Sequence, residues 1–133
     1  MHYLTDTNII SEIMKKQPDV HVYDWFSRQE TIYFSVITVE EIYFGLSRKN
    51  LVQKLAWFQQ FSADKAIILE ITDKISSWSG EKCGEMAAAG KIVTMADSLI
   101  AATAHDHGLI LATRNIKDFQ HFGIAVLNPF SID

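Results

Sequence analysis

The sequence carries a single cysteine, Cys83, in 133 residues. A lone thiol closes no internal disulfide, so the fold must rest on its packed core. The N-terminus has no basic segment followed by an apolar stretch and a small-residue cleavage site. No secretory signal is therefore expected, and a reducing cytoplasm is the expected compartment. Long apolar runs are also missing. None approaches the roughly 20 residues needed to cross a bilayer, so no membrane role is expected. An excess of basic charge is missing too: 12 Lys and Arg face 16 Asp and Glu, a formal net charge of −4. That excludes a protein that grips nucleic acid by bulk charge. It leaves room for a nuclease, because an acidic catalytic cluster lowers the net charge while a local basic rim holds the backbone. Repeats, low-complexity tracts and linker-like stretches are absent, and the length fits a single domain over residues 1–133 with one core.

What is present is a packed-core composition, 48% hydrophobic, arranged in alternating strand and helix patterns. Tyr3-Leu4-Thr5 reads as a short buried strand ending at Asp6, and Thr7 and Asn8 offer caps for a helix through Ile9, Ile10, Ile13 and Met14. Lys15 and Lys16 suit the negative end of that helix. Asp19 caps a second helix carrying Val22, Trp25 and Phe26. Thr31–Val36 is a β-rich run. Thr38, three residues before Glu41, has the capping-box pattern and predicts a helix from Thr38 to Gly45. Leu51–Phe61 is amphipathic, Ala66–Ile71 predicts a third strand, and Thr72 opens a long helix through Met86. Residues 98–104 form an Ala-rich helix stopped by Gly108, followed by the buried-type strand 109–113, a loop over 114–119 and a last strand at 124–127. The alternation predicts a parallel α/β sandwich.

Asp6 holds the key position. In an open parallel sheet the turn after a strand lies at the carboxyl edge, where ligands bind. A carboxylate there without a Gly-rich loop suits a metal ion better than a phosphate cradle. The layout lets Glu41, Asp97 and Asp118 reach the same edge. Two carboxylates about 5 Å apart repel by roughly 3 kcal/mol at an effective dielectric of 20. Three or four together must protonate or hold a cation. An all-oxygen site suits Mg2+ or Mn2+, which turn a bound water into a nucleophile and neutralise a phosphodiester. Each acid also has a purely structural reading. Glu41 can close the capping box, Asp118 can cap a turn, and Asp6 can satisfy helix amides. Asp97, beside a sheet-facing Ala-rich helix, is costly to bury without a partner.

Four ordered segments carry a resemblance. Leu4-Thr5-Asp6-Thr7-Asn8, Ser35-Val36-Ile37-Thr38-Val39-Glu40-Glu41-Ile42-Tyr43-Phe44-Gly45, Ala96-Asp97-Ser98-Leu99-Ile100-Ala101-Ala102-Thr103-Ala104 and Ala112-Thr113-Arg114-Asn115-Ile116-Lys117-Asp118-Phe119 resemble the motifs of the PIN-domain family. The chain is most similar to the VapC-type toxins of bacterial toxin–antitoxin systems, down to Asn128-Pro129-Phe130. The resemblance implies a three-layer sandwich with a central, mostly parallel sheet of four to five strands flanked by helices. It implies a Mg2+-dependent endoribonuclease, with Mn2+ as a substitute. The implied partners are the RNA substrate, a cognate antitoxin and a second copy of the chain in a homodimer, or a toxin–antitoxin hetero-oligomer. It assigns Asp6, Glu41 and Asp97 to the family's principal acids. Glu40 is the neighbour outside the Thr-x-x-Glu step. The family's fourth acid stands where this chain has Asn115, so either Asp118 or Asn115 completes the site. Thr7, Asn8, Ser35, Thr38 and Thr113 are expected to orient ligands or waters around it.

Arg114, Lys117 and Arg48 are candidate RNA contacts, with Lys49 and Lys54 as further members of a basic rim or of a solvated helix face. His105-Asp106-His107 fits polar residues at a helix end better than a metal site. Trp25, Trp57, Phe58 and Trp78 are expected in the core or at partner surfaces. Two other functions are open to the same residues. One is a phosphotransfer domain with Asp6 as nucleophile, although such enzymes place an Asp where Asn8 stands. The other is a binding module whose site is weakened at Asn115.

Overall fold

The computed structural model describes residues 1–130. Five strands are present among them: β1 (Tyr3–Thr5), β2 (Ile32–Ser35), β3 (Ala66–Leu69), β4 (Ile110–Ala112) and β5 (Val126–Leu127). All pair in parallel, in the order β3-β2-β1-β4-β5. The helices are α1 (Thr7–Ile13), α2 (Val20–Ser27), α3 (Val36–Arg48), α4 (Val52–Lys65), α5 (Asp73–Ala88), α6 (Met95–His107) and the short α7 (Ile116–Phe119). The expected parallel α/β sandwich is therefore present, with its sheet at the upper strand number.

The pleat sends alternate side chains to opposite faces and so divides the core in two. Ile32 and Phe34 of β2 join Ile10, Ile42, Leu46 and Phe58 on the face covered by α1, α3 and α4. Leu4 and Leu111 join Met86, Ile100, Ala101, Ala104 and Phe119 on the face covered by α5, α6 and α7. The small residues of α6 explain its place: Ala101, Ala102 and Ala104 are fully buried, which lets the helix backbone lie close to the strands. Gly108 ends α6 with φ 64°, the left-handed conformation that closes helices at little cost for glycine.

Three local expectations are corrected. Thr38 does not open a helix: α3 starts at Val36, with the Ser35 side chain accepting the Ile37 amide at 3.0 Å. The polypeptide leaves β2 at Ser35 and enters α3 without a loop, so the first available cap is used and Glu41 lies beyond the first turn. Gly45 does not end α3, which continues to Arg48. The segment over 114–119 is not all loop, because residues 116–119 form α7. In addition, β3 is an edge strand that leaves Ile67 and Ile68 partly exposed.

Strand order fixes where a ligand can sit. The chain moves outward from β1 through β2 to β3, then crosses back to lay β4 on the other side of β1. This reversal opens a crevice beyond the carboxyl ends of β1 and β4. Asp6 directly follows β1 and Thr113 directly follows β4.

Candidate functional site

Asp6 is the N-cap of α1, and its Oδ1 accepts the Thr7 amide at 2.8 Å. Its Oδ2 accepts the Thr113 hydroxyl at 2.7 Å and the Asn8 side-chain amide at 3.4 Å. The Thr113 oxygen in turn accepts the Asn115 backbone amide at 3.0 Å. Asn8 Oδ1 accepts the Arg114 amide at 3.2 Å, which fixes which way the Asn8 amide points. Residues 6–8 and 113–115, over a hundred positions apart in sequence, thus form one network around one carboxylate.

Glu41 enters from α3. The Thr7 hydroxyl lies 2.6 Å from Glu41 Oε1 and 3.0 Å from the Thr38 hydroxyl. A hydroxyl has one proton and an ionised carboxylate only accepts, so Thr7 donates to Glu41 and Thr38 donates to Thr7. Buried Thr38 therefore orients Glu41 through Thr7. Glu40 is exposed on the same helix. Asp97 stands in the first turn of α6, where Thr94 caps the helix by accepting the Asp97 amide at 3.1 Å. The helix dipole favours its negative charge there.

Asp6, Glu41, Asp97 and Asn115 line one cleft, with Thr7, Asn8, Arg114, Lys15 and Phe44. Asp118 is exposed on α7 and lies outside that lining, but its charge acts on Asp97. Ser35 caps α3. Arg48 lies over the Phe44 ring, 5.9 Å from its centroid, and Lys117 is exposed on α7. Arg114 lies 4.6 Å from the centroid of Phe130. From sequence Lys15 is expected only as a charge at the end of the first helix, and Phe44 has no role of its own. The spacing Glu41 to Phe44, three residues along one helix, was the available signal for the latter.

The acids strain one another. Burial lifts the Asp6 carboxyl to about 6, against the hydrogen bonds from Thr113 and Thr7, and the charges of Asp97 and Glu41 push the same way as burial. Asp97 is also raised, first by burial and then by Asp118, with a smaller push from Glu41. Among the described residues no Lys or Arg forms an ion pair with Asp6, Glu41 or Asp97. No three Asp, Glu, His or Cys side chains among them are grouped closely enough to cage an ion. The donor set therefore fits a hard cation held by one or two carboxylates and several waters, the habit of Mg2+. It does not form an all-protein cage.

The features outside this cleft are ordinary ones. His105 stacks on Trp78 with centroids 4.5 Å apart, and Lys74 pairs with Asp106 at 3.2 Å. Cys83 is half-buried and free. No helix among the described residues is long and apolar enough to cross a membrane. An apolar groove lies between α2 and α4, lined by Tyr23, Phe26, Trp57 and Phe61, and shares no lining residue with the acid cleft.

Residues 3–124 match the family model described as PIN domain. Among curated relatives, "VapC ribonuclease Y4jK" of Sinorhizobium fredii is 35% identical, over 94% of this chain and 95% of its own length. "Toxin FitB" of Neisseria gonorrhoeae is 31% identical over 96% and 97%. Among solved structures, the FitAcB crystal structure from Neisseria gonorrhoeae superposes with a TM-score of 0.80 at 31% identity, covering 96% of this chain and 97% of that one. VapBC2 of Rickettsia felis, bound to a fragment of promoter DNA, gives 0.83 at 28% identity over 96% and 98%. With its motifs in order, its parallel sheet and its acids at the switch point, the chain belongs to the PIN-domain family.

Proposed function

We propose that this chain is a Mg2+-dependent endoribonuclease, a single PIN domain over residues 1–133 that acts as the toxin of a toxin–antitoxin pair. The observation that carries the reading is the Asp6 carboxylate, buried at the switch point, held by three donors and faced by Glu41 and Asp97, with no ion-pair partner among the described residues. Relatives named as ribonucleases and toxins, and solved toxin–antitoxin complexes of the same fold, support it.

Asp6 and Asp97 would hold the ion, with Glu41 reaching it directly or through a water. A bound Mg2+ or Mn2+ supplies a water activated for attack and neutralises charge on the phosphodiester. The residues of the chain supply orientation. Thr113, Asn8 and the Thr7 amide fix the Asp6 oxygens, and Thr38 through Thr7 fixes Glu41. Such outer partners commonly matter 10- to 100-fold. Arg114, exposed at the cleft, would meet a phosphate, with Lys117 and Arg48 outside the cleft lining. Either Asp118, through its charge beside Asp97, or Asn115, through its amide oxygen, completes the polar ring. The partners are the RNA substrate, a cognate antitoxin and a second copy of the chain, all in the cytoplasm.

The test is cleavage of a mixed RNA pool by purified protein free of antitoxin, in Mg2+ or Mn2+ and in EDTA, beside Asp97→Asn. Cleavage that requires both the metal and Asp97 is expected. Cleavage that survives EDTA or Asp97→Asn overturns the reading. A second reading, a binding module with a weakened site, is favoured by the absence of a three-carboxylate cage among the described residues. Calorimetry separates the two, because the module would take up no Mg2+ at millimolar concentration.

A further inference from the structure

A second groove joins the acid cleft. Ser11, Lys15 and Glu41 line both, so the two are continuous at the α1–α3 junction. The second groove then runs between α3 and α4 past Gly45, and Arg48, Lys49 and Lys54 also line it. Four of the chain's 12 Lys and Arg thus meet in one place, in a protein that is acidic overall. The one acid in its lining is Glu41, which belongs to the cleft. Of the four cations, Lys15 is paired, to Glu12 at 2.8 Å. Arg48, Lys49 and Lys54 form no ion pair among the described residues.

Gly45 is the second observation. It lies inside α3, where glycine costs roughly 0.5–1 kcal/mol relative to alanine. Its backbone is ordinary helix, and a Cβ built there meets no atom within 4 Å. Neither conformation nor packing requires a glycine at this position. It lies one turn from Glu41, and the missing side chain keeps the path from the cleft into the basic groove open. Phe44, beside it, is 63% exposed on the side of α3 opposite buried Ile42, and lines the cleft mouth. The Arg48 guanidinium lies 5.9 Å from the centroid of this ring, and the exposed remainder of the ring offers a surface for a nucleobase.

We infer that the basic groove over Gly45 carries the phosphate backbone of a single-stranded RNA away from the acid cleft, with one base stacked on Phe44. This rests on the ribonuclease reading for the identity of the strand. The groove explains how an acidic protein holds a polyanion: repulsion is confined to the metal-binding end, and the adjoining backbone is held by localised cations.

Binding, read apart from cleavage, tests it. A fluorescein-labelled oligouridylate of about 16 nucleotides, and another of about 4, are titrated onto Asp97→Asn protein by anisotropy at several salt concentrations. Replacing Arg48, Lys49 and Lys54 together by Gln is expected to weaken the long strand by tenfold or more. It should also flatten the log–log salt slope by about 2, near 0.7 per lost phosphate contact. The short strand is expected to change by less than about threefold. Gly45→Leu, a helix-favouring change, should weaken the long strand while leaving the melting temperature equal or higher. Phe44→Ala should weaken both strands about tenfold, and Phe44→Trp should restore them.

An unchanged long-strand affinity and slope in the triple variant overturns the inference. So does loss of antitoxin binding with RNA binding intact, which would give the groove to the protein partner. A Phe44→Ala protein that weakens only because its assembly mass changes in sedimentation overturns the base seat. Failure of the ribonuclease reading shows separately, as wild-type protein that binds the long strand but cuts no RNA.

Discussion

The two walls of the acid cleft are built on different plans. On the sheet side, Asp6 is buried and its oxygens receive a backbone amide, a hydroxyl and a side-chain amide. Two of those donors, Asn8 and Thr113, are themselves held by the Arg114 and Asn115 amides of the segment after β4. On the helix side, Asp97 is half-buried at the start of α6, oriented by Thr94 and repelled by Asp118. Preorganisation resides on the sheet side. One wall is set by the fold before anything binds. On the proposed reading, the other would be set by the cation and substrate that relieve its repulsion.

The harshest way to break the comparison is to remove a carboxylate. Asp97→Asn should lower RNA cleavage more than about a hundredfold, beyond the range of an outer partner, with circular dichroism unchanged. A loss of tenfold or less would make the helix wall incidental.

The next effect is on stability. Burial raises the Asp6 carboxyl to about 6 in the folded protein, against an ordinary value of 3.8. The folded state therefore binds the proton more tightly, and this contribution is present below about pH 4 and lost as pH rises through about 6. The full difference is about 3 kcal/mol. In EDTA, Asp6→Asn should gain stability over wild type between pH 4 and 6 and hold that gain above. A denaturation midpoint difference that is flat with pH would contradict it, and Mg2+ should shrink the difference at pH 7.

Thr113→Val sharpens the sheet side. It removes the donor to Asp6 Oδ2 and the acceptor of the Asn115 amide in an isosteric change. Cleavage should fall 10- to 100-fold, and Thr113→Ser should recover most of it. Full activity in the valine variant would show that the sheet wall is not preset by this bond.

The smallest effect decides the fourth position. Asn115→Asp should tighten Mg2+ a few-fold in calorimetry, by adding a charge to the cleft lining. Asp118→Asn should weaken it a few-fold if its charge serves the ion. Whichever change moves the affinity more identifies the residue that completes the site.

Much of the fold was legible because local and global signals agreed. Alternating β-rich and Ala-rich segments gave a parallel sandwich, and Asp6 at the end of its strand marked the carboxyl edge. Misreadings occurred where two residues offered the same local chemistry. Ser35 and Thr38 are both good caps, and only the direct passage from β2 into α3 selects Ser35, leaving Thr38 to hold Thr7. Gly45 resembles a helix stop, yet it lies on a face where no packing tests the choice. The exposure of β3 and the place of Lys15 at the cleft depend on strand order and helix docking. Those are properties of the assembled chain that no window of sequence contains.

The hydrogen bond from Thr113 to Asp6 joins residues 107 positions apart. On a ribosome adding about 5–20 residues per second, Asp6 waits on the order of 10 s before Thr113 has even been made. Until β4 inserts beside β1, Asp6 is a carboxylate on an incomplete sheet, without the partner that orients it. On the proposed reading, a truncated or stalled product that stops short of β4 would lack the Thr113 donor and with it a fully ordered Asp6. If the chain is a toxin as proposed, the interval of its synthesis is the time a neutralising partner would have to come within reach.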